Sequence, residues 1–119
     1  MVKVNLQEKF SQFSDHWNPK VAGKLNGQLI KLVKFKGPFT WHKHELEDEL
    51  FLVIKGSFNM EFRDKTIGLN EGEFIIVPHG IEHRPNAEEE AEVLLFEPSE
   101  TLNTGNVQNE FTLKNLESI

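Results

Sequence analysis

The sequence predicts an all-β domain, a sandwich or small barrel, on three observations. Turn signals recur about every eight to twelve residues, the spacing of many short strands. The intervals between them carry β-branched and aromatic residues, either alternating with polar ones or in short apolar runs. Helical periodicity is confined to one stretch near the start. With 119 residues, the chain can enclose a single core and is expected to form one domain over 1–119. Within it the reading places a helix and loop at 1–19, a barrel at 20–98 and a tail at 99–119.

Taken in order, residues 5–13 read as a short amphipathic helix. Asn5 can cap it, Glu8 follows three residues on, and Leu6, Phe10 and Phe13 recur at helical spacing. Such a helix is expected to act as a lid or plug on something larger. Residues 14–19 read as a loop carrying His16 and Trp17. Runs 20–25 and 28–36 flank Asn26-Gly27, the pair that supplies both positive φ angles of a tight hairpin. Gly37-Pro38 ends the second run, and 39–44 is expected to be a strand bearing two histidines. The acidic stretch 45–48 makes a turn or kink. Residues 50–55 are apolar at nearly every position, the mark of a strand buried on both faces. One face would line the interior and the other would meet a second sheet or a second subunit.

Phe58, Met60 and Phe62 alternate with Asn59, Glu61 and Arg63, which predicts a half-buried strand. Asp64-Lys65 turns the chain into 66–69, and 70–72 turns it into 74–77, expected to be another buried strand. Pro78-His79-Gly80 is a sharp turn, 81–85 carries His83, and 87–92 is expected to be an acidic surface loop. Residues 91–96 make the last clear strand, closed by Pro98, for about eight strands in all. The tail is polar, with Leu113 and Leu116 expected in a helical turn or in an arm on a neighbouring subunit.

Composition excludes several classes of function. The absence of cysteine excludes disulfides and thiolate sites, so any metal must be held by imidazole nitrogen and carboxylate oxygen. A formal net charge of −6 argues against a nucleic-acid partner, whose phosphates call for a basic surface. The first ten residues lack the apolar run of a signal peptide, and no stretch approaches the roughly 20 apolar residues of a membrane span. A cytoplasmic location with no membrane partner is therefore expected.

One constellation carries chemistry. His42 and His44 are separated by one residue, so on an extended strand both side chains point the same way and can share one ion. Glu49 falls on the side of Phe51 and Val53, and a carboxylate among apolar wall residues needs a partner, which a metal ion would supply. His83, after the turn at 78–80, stands where a strand could hand a fourth ligand into the same cavity. Three neutral imidazoles and one carboxylate suit a divalent transition metal: Fe, Mn, Co, Ni, Cu or Zn.

These residues resemble a known family. Gly37, then His42-Lys43-His44, Glu49 and Gly56 are similar to the first signature of the cupins. Gly72, Pro78-His79-Gly80 and His83, with Asn86 near the closing position, are similar to the second. The residues before His42 and the place of Asn86 each depart from the pattern by one position, and neither departure touches a ligand position. The resemblance implies a double-stranded β-helix, a jelly-roll barrel that is usually dimeric, with one ion bound inside one end by His42, His44, Glu49 and His83. It implies less about reaction, because the family includes dioxygenases, sugar isomerases and epimerases, decarboxylases, sensor domains and storage proteins. Small members are often likened to the metal-binding part of mannose-6-phosphate isomerase.

The expected function is thus that of a metal-dependent enzyme acting on a small polar metabolite, of dioxygenase or sugar isomerase type. Its rivals are a non-catalytic module that holds a small molecule and a barrel whose ion is only structural. Beyond the ligands, Glu47 is a candidate general base and Arg84 a candidate contact for an anionic substrate. His16 and His79 are read as loop and turn residues, Arg63 as a surface residue, and Phe58, Met60 and Phe62 as core. The apolar outer positions Leu50, Leu52 and Ile54, with the long tail, predict a homodimer.

Overall fold

In the computed structural model, which describes residues 1–119, Asn26 and Gly27 take φ of 50° and 78° and close the expected hairpin between β1 (Lys20–Leu25) and β2 (Gln28–Pro38). Five strands follow: β3 (Glu49–Lys55), β4 (Ser57–Phe62), β5 (Thr66–Asn70), β6 (Phe74–Val77) and β7 (His83–Pro98). All pairings between these strands are antiparallel. One path runs β1-β2-β7-β3-β6, while β4 pairs with β5 and with the first residues of β7. The fold is all-β with one short helix in front, as the sequence predicts.

Strand β7 is the element the sequence reading divides in two, and its register explains why. Between the pairs Phe35↔Ala91 and Gly37↔Ala87, β7 uses four steps where β2 uses two. The surplus, Glu88 to Glu90, bulges outward into solvent without leaving the strand, so the acidic run is a corner rather than a loop. Ala87 and Ala91 are fully buried on the inside of the bend. Gly56, at φ 84°, seats the corner: a Cβ there would lie 3.0 Å from the Glu90 carbonyl oxygen and 3.3 Å from Ala91 Cα.

The interior is filled by alternate residues of each strand. Val33 and Phe35, Phe51 and Val53, Phe58 and Met60, Leu69, Val77, and Val93 and Leu95 form one cluster with the two corner alanines. Phe62 packs against it as predicted. Strand β3 buries Phe51 and Val53 and leaves Leu50, Leu52 and Ile54 half-buried, so its apolar run is not enclosed on both faces within one chain. Strand β6 departs further from expectation, with Phe74 60% and Ile76 53% exposed. It pairs only with β3 and lies at the edge, where no layer of the chain covers its outer side.

At the N-terminus, α1 (Leu6–Phe10) is shorter than the predicted helix. Asn5 caps it as expected, its side chain accepting from the Glu8 amide at 2.9 Å, and Ser11 ends it. The helix is not a plug. The segment lies on the outer face of β2, where Leu32 is buried and Lys34 Nζ donates to the Phe13 carbonyl at 2.6 Å. Trp17, at φ 58°, crosses to the barrel mouth and stacks on Phe35 at 4.5 Å and on Phe39 at 4.8 Å. Its ring N–H donates to the Lys36 carbonyl.

The tail forms neither a helical turn at Leu113 and Leu116 nor an extended arm. It folds back on its own chain, where Val21 and Ile119 amides donate to the Glu117 and Val21 carbonyls at 2.8 and 2.9 Å. No helix is long and apolar enough to cross a membrane.

Candidate metal centre

The histidine segment is not a strand. Phe39 N–H donates to the Pro85 carbonyl, and His42 and His83 exchange both backbone hydrogen bonds, at 3.1 and 2.8 Å. Between those contacts the segment advances three residues and β7 two, so the ladder breaks at Thr40-Trp41 and only an isolated bridge remains. The two side chains nevertheless reach one site, as strand parity predicts. His42 and His44 are both buried and lie beside each other, with ring centroids 5.0 Å apart.

Each remaining ligand candidate comes from a regular strand. Glu49 opens β3 opposite Val77 and turns inward with Phe51 and Val53. His83 opens β7, its ring 4.3 Å from that of His42. One ligand atom from each of His42, His44, Glu49 and His83 lies within 4.8 Å of every other. All four residues are 1 to 3% exposed.

The orientation of these groups tests whether a cation fits. His42 Nδ1 and His83 Nδ1 each lie 2.9 Å from a carbonyl oxygen, those of Thr40 and Ile81, which places the ring proton on Nδ1 and leaves the Nε2 lone pair free to ligate. Glu49 Oε1 is 2.8 Å from His44 Nε2 and 3.3 Å from His83 Nε2. Yet these three buried atoms make no hydrogen bond with proper geometry. They converge on a common point rather than on one another, which is the arrangement a cation satisfies.

The electrostatics point the same way. Burial and the neighbouring His83 pull His42 down to about 4, so its imidazole is neutral at pH 7. Burial pushes Glu49 up, but contacts with Glu97, His44 and His83 outweigh it and hold the carboxyl well below the ordinary range. The centre therefore presents deprotonated ligands without having to release a proton from either group.

Two charged residues that the sequence reading did not single out complete the surroundings. Lys31 and Glu97 are 1 and 2% exposed, and Lys31 Nζ donates to Glu97 Oε1 at 2.8 Å. Burial and the adjacent Glu49 raise the Glu97 carboxyl well above the ordinary range, outweighing Lys31. Strand parity was the available signal: Lys31 follows the inward register of Val33 and Phe35, and Glu97 that of Val93 and Leu95.

A cavity of about 30 Å³ adjoins the centre, room for about two waters. Trp17, Phe35, Phe39 and Phe51 supply its aromatic wall, His42, Glu49 and Glu97 its ionisable groups, and Asn103 of the tail borders it. Met60 and Phe58 belong to the core, as expected, and do not line it.

Neither catalytic candidate reaches that cavity. Glu47 lines a separate surface groove with His44, Glu100 and Gly105. Arg84, next to an inward residue, points outward. It donates to Glu61 Oε1 through Nε at 2.9 Å and Nη2 at 2.6 Å and lies over the Trp41 ring. Arg63 covers the same ring at 3.9 Å and pairs with Glu82. His79 meets Asp48 at 2.9 Å and His16 meets Glu90 at 2.7 Å, both at the surface as expected.

Comparison with known proteins gives concordant results. The family model described as "Cupin domain" matches residues 32–97, which include all four candidate ligands. The uncharacterized protein YdbB of Bacillus subtilis strain 168 is 32% identical over 80 residues, covering 66% of this chain. The match spans 65% of that protein's length. The crystal structure of a cupin-2 domain containing protein from Shewanella frigidimarina is 43% identical, with a TM-score of 0.79 over 80% of this chain and 93% of that one. A protein from Neisseria meningitidis is 28% identical, with a TM-score of 0.76 over 82% of this chain and all of that one.

Proposed function

This chain belongs to the cupin domain family, and on that premise we propose that it is a metal-dependent enzyme for a small molecule, of the oxygen-using rather than the sugar-isomerising kind. The observation that carries the metal reading is the convergence of three buried, unpartnered ligand atoms on one point. His42, His44, Glu49 and His83 would hold a divalent transition metal, which supplies Lewis-acid and O₂-activating chemistry when bound.

The chain's own residues favour one branch over the other. A sugar phosphate calls for a cation and several hydrogen-bond partners. The cavity offers neither: Lys31 is engaged by Glu97, and Arg84 lies on the outside paired with Glu61. Its walls are mainly aromatic, and Glu97 is its one acid beyond the ligand set. Such a wall excludes water and suits a compact, largely apolar substrate with adjacent oxygens, as in a diketone or a catechol. A substrate of that size would need more room than about two waters occupy, and Trp17 and Asn103 are the groups at the mouth whose displacement would provide it.

Oxygen consumption is the direct test. Metal-loaded protein given small diketones and catechols in air is expected to consume O₂, and the His44→Ala variant is not. Aldose–ketose conversion without oxygen uptake would reverse the choice of branch.

A second reading follows from the positions of Glu47 and Arg84, which leave the cavity with no free acid and base pair. The chain would then hold a metabolite without changing it, and a ligand recovered unaltered from purified protein would favour that reading. We further propose self-association of two copies through the outer face of β3 and β6, where Leu50, Leu52, Phe74 and Ile76 form an apolar surface. Sedimentation of a monomer at micromolar concentration would exclude it.

A further inference from the structure

We propose that a cleft beneath the tail is a second compartment of the substrate site, receiving a hydrocarbon arm carried by the diketone or catechol whose oxygens meet the metal. The inference rests on the oxygen-using reading above and deepens it. It names where the part of the substrate that the cavity beside the ligands cannot hold would lie.

Space is the first argument. The cavity at the centre measures about 30 Å³, room for about two waters. Between β1, β2 and the tail lies a cleft of about 400 Å³, within the usual range of a small-molecule site. Val21, Leu29, Leu102, Leu113 and Leu116 form its apolar walls, and all five are half-buried. Side chains that served only to fasten the tail would close on one another, because packed interiors leave few voids larger than a water molecule. These five surround a space instead.

Position is the second argument. Asn103 lines both the cavity and the cleft. The buried Lys31–Glu97 pair stands between them in the same way, with Glu97 bordering the cavity, Lys31 the cleft, and 2.8 Å from Nζ to Oε1. The two compartments therefore share a wall. Asn103 is its displaceable part, because both of its side-chain hydrogen bonds are to the tail rather than to the barrel. Its Nδ2 donates to the Phe111 carbonyl at 2.8 Å, and its Oδ1 accepts from the Leu113 amide at 2.9 Å. Moving this one side chain would join the small cavity at the ligands to the larger apolar cleft.

The test uses the full chain loaded with Co²⁺, without oxygen, and takes catechol and 4-butylcatechol as probes. Binding of each is read from the visible absorption of the ion. A methylene moved from water to an apolar wall tightens binding about fourfold, so 4-butylcatechol is expected to bind at least about tenfold more tightly than catechol. Leu116→Trp fills the cleft from the tail and is expected to bring the ratio of the two dissociation constants close to one. Should that variant not fold, Leu29→Trp fills the cleft from the barrel and decides in its place.

Equal binding of the two probes by wild-type protein would overturn the proposal. So would a preference for 4-butylcatechol that survives filling of the cleft, since the arm would then lie elsewhere. In both cases the reading of the centre stands, because catechol still binds. Wild-type protein that takes up neither probe, or no Co²⁺, removes that reading and this inference with it.

Discussion

The two halves of the centre are built in different ways. Glu49 and His83 sit in regular strands. Glu49 is laddered to β6 beside the β3–β7 pairing, and His83 is paired with Phe62 of β4. Their positions follow from the barrel. The segment with His42 and His44 has β7 and the turn before it on one side, through the bridge to His83 and the Gly80 amide, which donates to the His44 carbonyl at 2.7 Å. The tail takes the other side. Lys43 N–H donates to Asn106 Oδ1 at 2.9 Å, Asn106 N–H returns a bond to the Lys43 carbonyl at 3.0 Å, and Asn109 reaches Thr40 at 3.1 Å. Phe111 packs on Phe39 with centroids 5.1 Å apart. Two candidate ligands are thus barrel-held and two depend on a segment more than sixty residues away in sequence, so the affinity of this centre for an ion is expected to depend on tail docking.

Substitution of a ligand from either half is expected to have the largest effect. His44→Ala and Glu49→Ala should each cost more than the roughly 10- to 100-fold that removing a surrounding group costs. Each should also abolish the thermal stabilisation conferred by metal, about 4 kcal/mol at a thousandfold excess over Kd. Stoichiometric metal in either variant after dialysis would break the four-ligand centre.

Next comes Gly105→Val, which sharpens the comparison. Gly105 sits at φ 55°, and a Cβ there would strike the Lys43 carbonyl. The expected loss is about 2–4 kcal/mol from strain and overpacking. Hydrogen exchange should show faster exchange at residues 42–44 with the amides of β3 still protected. Gly56→Val strains the β7 corner instead and should cost a similar amount, but with protection lost across the barrel. Identical exchange patterns in the two variants would erase the distinction between barrel-held and tail-held ligands.

Asn106→Ala removes one hydrogen bond and is expected to cost about 1 kcal/mol, with a modest weakening of metal binding. Unaltered affinity would mean that the bridge to His83 alone suffices. The smallest effect is expected for Arg84→Gln, below about 1 kcal/mol for a partly exposed pair, with metal affinity unchanged. Hydrogen bonds from Asn86 and Arg84 hold the Glu61 carboxyl below its ordinary value. Its stabilisation is therefore present above the unfolded value and lost as pH falls through the folded one. The difference between Arg84→Gln and wild type should vanish on acidification through the carboxylate range, and a difference that grew there would contradict the pairing.

What could be read in advance was what depends on local geometry. Asn26-Gly27 encodes its turn, the alternation of Phe58 and Met60 encodes an inner face, and one residue between His42 and His44 puts both on one side whether or not a strand forms. Glu49 was legible for a related reason, since a charge at an inward position demands a partner. Lys31 and Glu97 obey the same logic, but they partner each other across a strand pair whose register the sequence does not reveal. Trp17 owes its place to a left-handed backbone conformation that bulky residues rarely adopt. Tail docking rests on asparagine contacts to a distant segment, which leave no periodicity to detect. The acidic run in β7 resembled a loop because its side chains are solvated, while its backbone is not free.

That run has a consequence for how such a chain can vary over generations. His83 and Glu97 stand at opposite ends of one strand, a span of about 46 Å if it were straight, and the bend at Glu88 to Glu90 brings both to Glu49. Because side chains alternate in and out, gaining or losing a single residue at the bend would turn one end of the strand inside out relative to the other. Glu88 and Glu89 are exposed and Glu90 makes only a surface contact with His16, so their identity is loosely constrained. Their number is not, and this stretch should accept substitution readily while rejecting single-residue insertion or deletion.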